Sequence, residues 1–184
     1  MSMVTAELRP HPTSPCEAVS RIGIEIDDEA FPRALQVRFR VDGDIGRVRL
    51  PRPGFARRSD GLWQHTCFEA FLRPDAGQSY HELNFAPSRD WAVYRFGSRR
   101  GERSLPALAA PAIEFGATRG HCELSAEFSI AELSELAAAP ALRAGACAVI
   151  ETVEGSLSYW ALAHGSERPD FHDPASFALR IGPS

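Results

Sequence analysis

The sequence predicts an all-β protein, an antiparallel β-sandwich of about ten strands with one short helix. Apolar and polar residues alternate with a period of two along many short segments. Turn-forming residues separate these segments, since the 184 residues include 14 glycines and 14 prolines. The sequence lacks the regularly spaced helices that would connect neighbouring strands of a parallel sheet.

The segment 1–17 is polar and contains Pro10, Pro12 and Pro15. We expect it to form an N-terminal arm, and we expect 18–184 to form a single domain, as is usual for this length.

The first predicted strands have the most regular alternation. One contains Ile22, Ile24 and Ile26, and the next spans 35–41. Asp42-Gly43-Asp44 has the composition of a turn, so a hairpin is predicted to return over 45–50. Further strands are predicted at 65–72, 79–85, 91–96, 113–117, 122–128, 146–153, 157–162 and 177–181.

One short helix is predicted near residue 135. Ser129 followed three residues later by Glu132 is a capping-box pattern. Helix-forming residues fill 131–139, and Pro140 ends the run.

Composition excludes several classes of function. The 20 basic residues, all arginine, are outnumbered by 24 acidic ones, and the net charge of −4 argues against binding to nucleic acid. No apolar run approaches the roughly 20 residues of a membrane helix. The N-terminus has no signal-peptide pattern and the four cysteines form no C-x-x-C pair, so we expect a reduced, cytoplasmic protein. The oligomeric state is left open.

The segment 62–96 contains the first group of candidate site residues. Alternation directs Phe68 and Leu72 to the core and Glu69 to the opposite face, and in the next strand it directs Glu82 and Asn84 to that same face. The short PDAG connection makes the two strands antiparallel neighbours. Glu69, Glu82 and Asn84 should therefore lie together, with Trp63 and Trp91 near the strand ends.

Carboxylates, an amide and indoles on one face suit a polyhydroxyl ligand, because a sugar stacks on aromatic rings and hydrogen-bonds through its hydroxyls. The alternative is that Trp63 and Trp91 are core aromatics and that Glu69 pairs with an arginine.

The segment 158–177 contains the second group. Tyr159 and Trp160 lie on a strand, and His164, Asp170, His172 and Asp173 follow in a loop fixed by two prolines. We expect this loop to carry polar side chains to the rim of the site. Metal binding is the alternative, although the spacing of the two histidines is not an established ligand pattern.

Catalytic motifs are weak. The sequence has no G-x-S-x-G, P-loop or H-E-x-x-H pattern. Glu69 and Glu82 could act as the acid and base of glycoside cleavage, which is kept as an alternative. Cys67 and His65 share a strand face, but nothing obvious orients the histidine for a nucleophilic role.

The stretch LWQHTCFEAFL, followed by YHELNFAPSRDW, resembles the DOMON-like superfamily and, within it, the family 9 carbohydrate-binding modules. The PDFHDP loop resembles the closing segment of stand-alone bacterial members. The resemblance implies a β-sandwich that binds a sugar or, in other branches, a haem. By position, Trp63 resembles a stacking aromatic residue, Glu69 a hydrogen-bonding carboxylate, and Trp160 or Tyr159 a second stacking residue.

Haem is the rival ligand that the resemblance implies. Met/His ligation is not expected, because Met1 and Met3 are the only methionines and both lie in the predicted arm. A bis-histidine pair among His65, His81, His164 and His172 is left as an alternative.

The sequence thus predicts non-catalytic binding of a sugar-like small molecule, with no metal ligand and no catalytic residue. A glycan-active enzyme and a haem- or metal-binding protein are the alternatives. The predicted ligand-binding residues are Trp63, Glu69, Glu82, Asn84, Trp91, Tyr159, Trp160 and His164.

Overall fold

The computed structural model describes residues 3–183, so Met1, Ser2 and Ser184, which belong to the predicted arm and domain, lie outside it. The prediction of an all-β fold is confirmed. The strands are β1 (Met3–Pro10), β2 (Val19–Asp27), β3 (Ala34–Gly43), β4 (Cys67–Pro74), β5 (Tyr80–Phe85), β6 (Trp91–Phe96), β7 (Arg103–Ser104), β8 (Ala112–Ala117), β9 (His121–Ser129), β10 (Leu142–Glu151), β11 (Leu157–Ala161) and β12 (Leu179–Ile181). The helix is α1 (Ser134–Ala137), and 3-10 turns occur at Ile45–Arg47, Leu62–Gln64 and Pro174–Ser176.

All the strand pairs are antiparallel, and the strands form one sheet that curls into two layers. Its order is β7-β6-β5-β4-β10-β11-β1-β2-β3-β9-β8, and β12 pairs with β10 off this path. Strand β1 belongs to both layers. Its residues 3–8 pair with β2, whereas Arg9 and Pro10 pair with β11.

The main core lies between the two layers. Alternate residues of β3, such as Val37 and Phe39, are fully buried against alternate residues of β4, such as Phe68 and Leu72. The rings of Phe39 and Phe68 meet across the layers, with 5.1 Å between centroids. Burial of these apolar faces is the main favourable contribution to folding.

A second, smaller apolar cluster lies on the outer face of the β4-β5-β6-β10 layer. It includes Phe71, Tyr80, Phe96 and Phe177. The segment 162–178, hereafter the cover loop, packs over this face. Gly145 on β10 permits the approach, because a Cβ atom there would lie 2.9 Å from the Ser176 carbonyl oxygen. Strands β4 and β5 are therefore buried on both faces.

Three local predictions are wrong. Residues 3–10 of the predicted arm form β1, because Val4, Ala6 and Leu8 alternate and pack on the main core. The predicted hairpin strand at 45–50 is a 3-10 turn followed by a single bridge from Val48 to Thr152. The predicted helix is shortened to one turn and has no capping box, because Ser129 is the last residue of β9.

None of the helices in the part that the structure describes is both long and apolar enough to cross a membrane.

Candidate functional site

The candidate site is a cavity of about 590 Å³ on the outer face of the β4-β5-β6 layer, beside the cover loop. Carboxyl groups form its floor, aromatic rings its walls, and arginines part of its rim. The lining residues are Trp63, Gln64, Glu69, Glu82, Tyr94, Phe96, Arg100, Arg103, Val149, Leu157, Tyr159, Pro169, Phe171 and His172.

The floor carries Glu69 from β4 and Glu82 from β5. In the strand pairing Glu69 lies opposite Asn84, and Glu82 lies opposite Phe71, so the two glutamates are diagonal neighbours on one face. They are only 2% and 5% exposed, respectively. Asn84 Nδ2 donates a hydrogen bond of 2.9 Å to Glu82 Oε1. Within residues 3–183, Glu69 Oε1 has no hydrogen-bond partner.

Burial favours the neutral form of both carboxyl groups. It raises the pKa of Glu69 well above the usual 4.5, and the nearby Glu82 raises it further. Burial also raises the pKa of Glu82, although the hydrogen bond from Asn84 and the charges of Arg103 and Arg100 partly offset this effect. The floor is therefore a pair of carboxyl groups whose ionisation is disfavoured by burial.

His172 of the cover loop lies above the two glutamates as a neutral imidazole. Burial, followed by the charge of Arg100, lowers the pKa of His172 to about 4. The Arg100 backbone N–H donates to the Tyr80 hydroxyl at 3.3 Å, and this hydroxyl lies 2.7 Å from His172 Nδ1. When the hydroxyl donates to Nδ1, the ring proton resides on Nε2, which lies 3.7 Å from Glu82 Oε2.

Aromatic rings form the cavity walls. Trp63 comes from the 3-10 turn before β4 and meets Tyr94 edge to face, with 5.9 Å between centroids. Tyr159 on β11 meets Phe171 of the cover loop at 6.1 Å. Trp63 is partly exposed, so its ring is accessible from the cavity. Such rings offer apolar surfaces to the C–H face of a ligand.

Each rim arginine has a carboxylate partner. Arg100 binds Asp170 Oδ1 at 2.9 Å, and Arg103 lies 3.9 Å from Asp60 and stacks over the Tyr94 ring. Arg99 binds both Asp170 and Asp173, at 2.7 and 3.1 Å. Asp170 also accepts the backbone N–H of His172 at 3.0 Å. These ion pairs tie the cover loop to the segment 97–102 beside the cavity.

Asp60 and Tyr94 form a second polar contact at the rim. The Tyr94 hydroxyl donates a hydrogen bond to Asp60 Oδ1, and this bond lowers the pKa of Asp60. Burial, then the same bond, raises the pKa of Tyr94. Tyr94 is therefore a protonated phenol whose ring faces the cavity.

The structure places four of the predicted site residues on the cavity surface, namely Trp63, Glu69, Glu82 and Tyr159. Asn84 is fully buried beneath the floor and reaches the site through Glu82. The side chains of β4 and β5 therefore lie on the faces of the sheet that the alternation predicted. The cover loop also brings His172 to the rim, as expected for that segment.

Three other predicted residues do not line this cavity. Trp91 pairs with Phe85 and points into the main core, since Phe85 is on the core face of β5. Trp160 pairs with Ala148, which pairs with Phe68, and this register also places Trp160 in the main core. His164 lies outside the cavity, where its Nε2 bonds the Arg9 carbonyl oxygen at 2.8 Å and its ring packs against His11.

The main residues missed by the sequence interpretation are Tyr94, Phe96, Arg100, Arg103 and Phe171. Tyr94 and Phe96 could have been found, because their spacing on β6 places them on the face opposite Trp91. Arg100 and Phe171 come from loops and Arg103 from the two-residue strand β7, and the local pattern does not determine the positions of these segments.

Metal, haem and thiol chemistry fit this site poorly. Within residues 3–183 no group of three or more His, Cys, Asp or Glu side chains is placed to hold a metal ion. Of the histidines described, His172 alone lines the cavity, so the site has no bis-histidine pair for haem. Burial raises the pKa of Cys67 well above its usual value, and His65 instead bonds Glu151 at 2.7 Å.

Comparison of the sequence with protein-family descriptions and with curated proteins finds no match. Comparison with solved structures finds similar folds. A candidate carbohydrate-binding protein from Bacteroides uniformis is 15% identical, with a TM-score of 0.66 over 95% of this chain and 85% of the other. A family 9 carbohydrate-binding module from Caldicellulosiruptor kristjanssonii, in complex with cellotriose, is 13% identical, with a TM-score of 0.52 over 97% and 84%. The chain therefore has a β-sandwich fold similar to that of the family 9 modules.

Proposed function

We propose that the cavity binds a carbohydrate-like small molecule without catalysing its conversion. The observation that carries the proposal is the buried pair of Glu69 and Glu82 on the floor of an aromatic-walled cavity. The volume of about 590 Å³ is in the range of small-molecule sites and fits one or two sugar rings.

The residues supply both kinds of contact that a sugar requires. Trp63 and Tyr159 present ring surfaces to the apolar C–H faces. The carboxyl groups of Glu69 and Glu82 can accept hydrogen bonds from sugar hydroxyls, and the N–H groups of Gln64 and His172 can donate to hydroxyl oxygens. Because Asn84 and the cover loop fix Glu82 and His172 in advance, little side-chain freedom is lost on binding.

The fold supports the proposal without identifying the sugar. The Caldicellulosiruptor module with a similar fold binds cellotriose. The motif at 62–96, which resembles those of DOMON-like proteins, supplies Trp63, Glu69 and Glu82 to the cavity here. We propose membership of the DOMON-like superfamily on this basis.

Isothermal titration calorimetry with a panel of neutral mono- and disaccharides tests the function. We expect binding by the unmodified protein and a loss of at least about tenfold in affinity for Trp63→Ala. Phe55→Ala is the matched aromatic control, because Phe55 is 94% exposed and does not line the cavity. Absence of heat with every sugar, or equal affinities for the two variants, would contradict the proposal.

Glycoside cleavage is the second candidate, favoured by the raised pKa values of both floor carboxyl groups. In that case a protonated carboxyl group would donate its proton to the leaving oxygen, and the other would assist attack by water. Release of nitrophenol from nitrophenyl glycosides, abolished by both Glu69→Gln and Glu82→Gln, would establish it. Binding of sugar without turnover would exclude it for the substrates tried.

A further inference from the structure

The charge balance of the cavity points to a narrower class of ligand than sugars in general. Within residues 3–183, no arginine or histidine lies within 4.0 Å of the Glu69 carboxyl group, and only His172, at 3.7 Å, faces that of Glu82. A buried carboxylate without a cationic partner is costly, so such groups are normally paired. The cavity occupies the place where a cationic partner of the two carboxyl groups would lie.

The groups around the pair compensate its negative charge only in part, because the charges of Arg103 and Arg100 lower the pKa of Glu82, whereas burial and Glu82 itself raise that of Glu69. Beside Glu69, β10 contributes Cys147 and β4 contributes Cys67, and burial raises the pKa of both thiols well above the usual 9.0. From above, His172 is neutral because burial lowers its pKa to about 4. Within residues 3–183, the other charged and titratable neighbours are the paired rim groups and three tyrosines. The rim groups are Arg99, Arg100 and Arg103 with Asp60, Asp170 and Asp173, and the tyrosines are Tyr80 and Tyr94, which are protonated phenols, and Tyr159.

Glu69 provides a second and independent indication of a ligand. Its side chain is buried, it lines the cavity, and its Oε1 atom has no partner within residues 3–183. A buried acceptor of this kind needs a donor to offset its lost hydration. A molecule in the cavity can supply this donor, and in its absence the carboxyl group can instead keep its own proton and act as a donor itself.

We propose that the natural ligand is an amino sugar whose ammonium group binds between Glu69 and Glu82. This inference rests on the proposed sugar-binding function and specifies its ligand class. An ammonium group brings three donors and a full positive charge to the two carboxyl groups. The surrounding rings of Trp63 and Tyr94 stabilise the cation through their π faces while they contact the sugar ring.

Binding of the ammonium group also favours ionisation of both carboxyl groups, whose pKa values burial raises. The amine keeps its own proton, and any carboxyl proton that is displaced passes to the solvent. A neutral sugar brings no positive charge and does not favour this release. Proton release therefore distinguishes the two ligand classes independently of affinity.

Matched pairs of sugars test the proposal, namely glucosamine with glucose, galactosamine with galactose, and mannosamine with mannose. Titration calorimetry is performed at about pH 6.5, where such amines are protonated. We expect at least one amino sugar to bind about tenfold or more tightly than its hydroxyl counterpart, as a charged hydrogen bond in a buried site provides. Repeating the titration in buffers of different ionisation enthalpy should show proton release for the amino sugar alone.

The floor carboxyl groups are then replaced one at a time. Glu69→Gln and Glu82→Gln preserve side-chain shape and should each remove the preference for the amino sugar and its proton release. Glu114→Gln is the matched control, because Glu114 is exposed on β8 in the other layer. Circular dichroism and thermal melts establish that each variant is folded, and either floor variant alone suffices for the comparison.

The outcomes separate the two proposals. If neutral sugars bind as tightly as their amino counterparts, or if both floor variants retain the amino-sugar preference, the inference is wrong while sugar binding stands. If no sugar of either kind binds, both proposals fail. If an amino sugar is preferred but its proton release equals that of the neutral sugar, the placement of the ammonium group between the two carboxyl groups is wrong.

Discussion

Glu69 on β4 lies directly opposite Asn84 on β5, and each of these buried side chains has an oxygen atom without a hydrogen-bond partner within residues 3–183. The amide nitrogen of Asn84 is already committed to Glu82. A protonated Glu69 is a donor, whereas an ionised Glu69 is another acceptor beside the Asn84 oxygen. The strand register therefore favours the protonated form of Glu69 in the absence of ligand.

Replacing this amide with a carboxyl group should be severely destabilising. Asn84→Asp places a third buried acid next to two others and removes the donor to Glu82. We expect the free energy of unfolding to fall by about 3 kcal/mol near neutral pH, with a smaller deficit at lower pH, where the new acid is protonated. Urea denaturation at several pH values measures this. Gln78→Glu, at an exposed turn position, is the control. An unchanged stability would contradict the assigned environment of Asn84.

The floor carboxyl groups should make stability fall as pH rises. Their pKa values in the folded protein lie above the usual 4.5, so folding favours their protonated forms. This contribution is complete below pH 4.5 and is lost as pH rises through the raised pKa values. Each group contributes a slope of up to about 1.4 kcal/mol per pH unit. Glu69→Gln should become more stable relative to the unmodified protein as pH rises, whereas Glu114→Gln should not. A constant difference between Glu69→Gln and the unmodified protein would show that the carboxyl group is hydrated.

The three tryptophans should separate into core and site residues. Trp91 and Trp160 are in the main core, so replacement of either by alanine should cost about 3–5 kcal/mol in free energy of unfolding. Trp63 is partly exposed, and its replacement should cost about 1 kcal/mol while impairing ligand binding. Urea denaturation followed by circular dichroism measures the stabilities. A change of fluorescence on addition of ligand should disappear in Trp63→Phe and persist in Trp91→Phe. The opposite fluorescence result would contradict the assignment of Trp63 to the site.

The ion pairs of the cover loop should matter more for binding than for stability. Asp170 holds Arg99, Arg100 and the backbone N–H of His172. Partial burial raises the pKa of Asp170, but the hydrogen bonds from the two arginines, the charge of Arg100 and the His172 N–H together lower it. Asp170→Ala should weaken ligand binding about threefold to tenfold, since His172 and Arg100 lose their common anchor. Its effect on unfolding should remain below about 1 kcal/mol, as is usual for ion pairs near the surface.

Asp75→Ala is the matched control for this change. Asp75 forms an ion pair of 2.6 Å with Arg143, is more exposed than Asp170, and does not line the cavity. Calorimetric titration of both variants at low and high salt tests the prediction. If Asp170→Ala binds as the unmodified protein does, the cover loop holds its conformation without these ion pairs.

The sequence predicted the floor of the site because that part depends on local geometry. On β4 and β5, alternation and one short turn fix which side chains share a face, and these rules placed Glu69, Glu82 and Asn84 correctly. The wall and rim depend on how distant segments meet. Arg100 and Phe171 reach the cavity from loops, through ion pairs between residues about 70 positions apart.

The tryptophans show where alternation fails. Both faces of β6 are buried, since Trp91 and Val93 pack in the main core while Tyr94 and Phe96 face the cavity or the second cluster. Apolar residues on both faces give no preferred orientation, and only the pairing of Phe85 with Trp91 decides it. The same holds for Tyr159 and Trp160, adjacent residues of which only the first faces the cavity.

Strand β1 hydrogen-bonds to β2 along residues 3–8 and to β11 at Arg9 and Pro10. Strand β1 is thus the element that joins the two layers of the curled sheet. A shortened chain that starts at Cys16 would leave unpaired edges on β2 and β11, and exposed edges of this kind invite edge-to-edge aggregation.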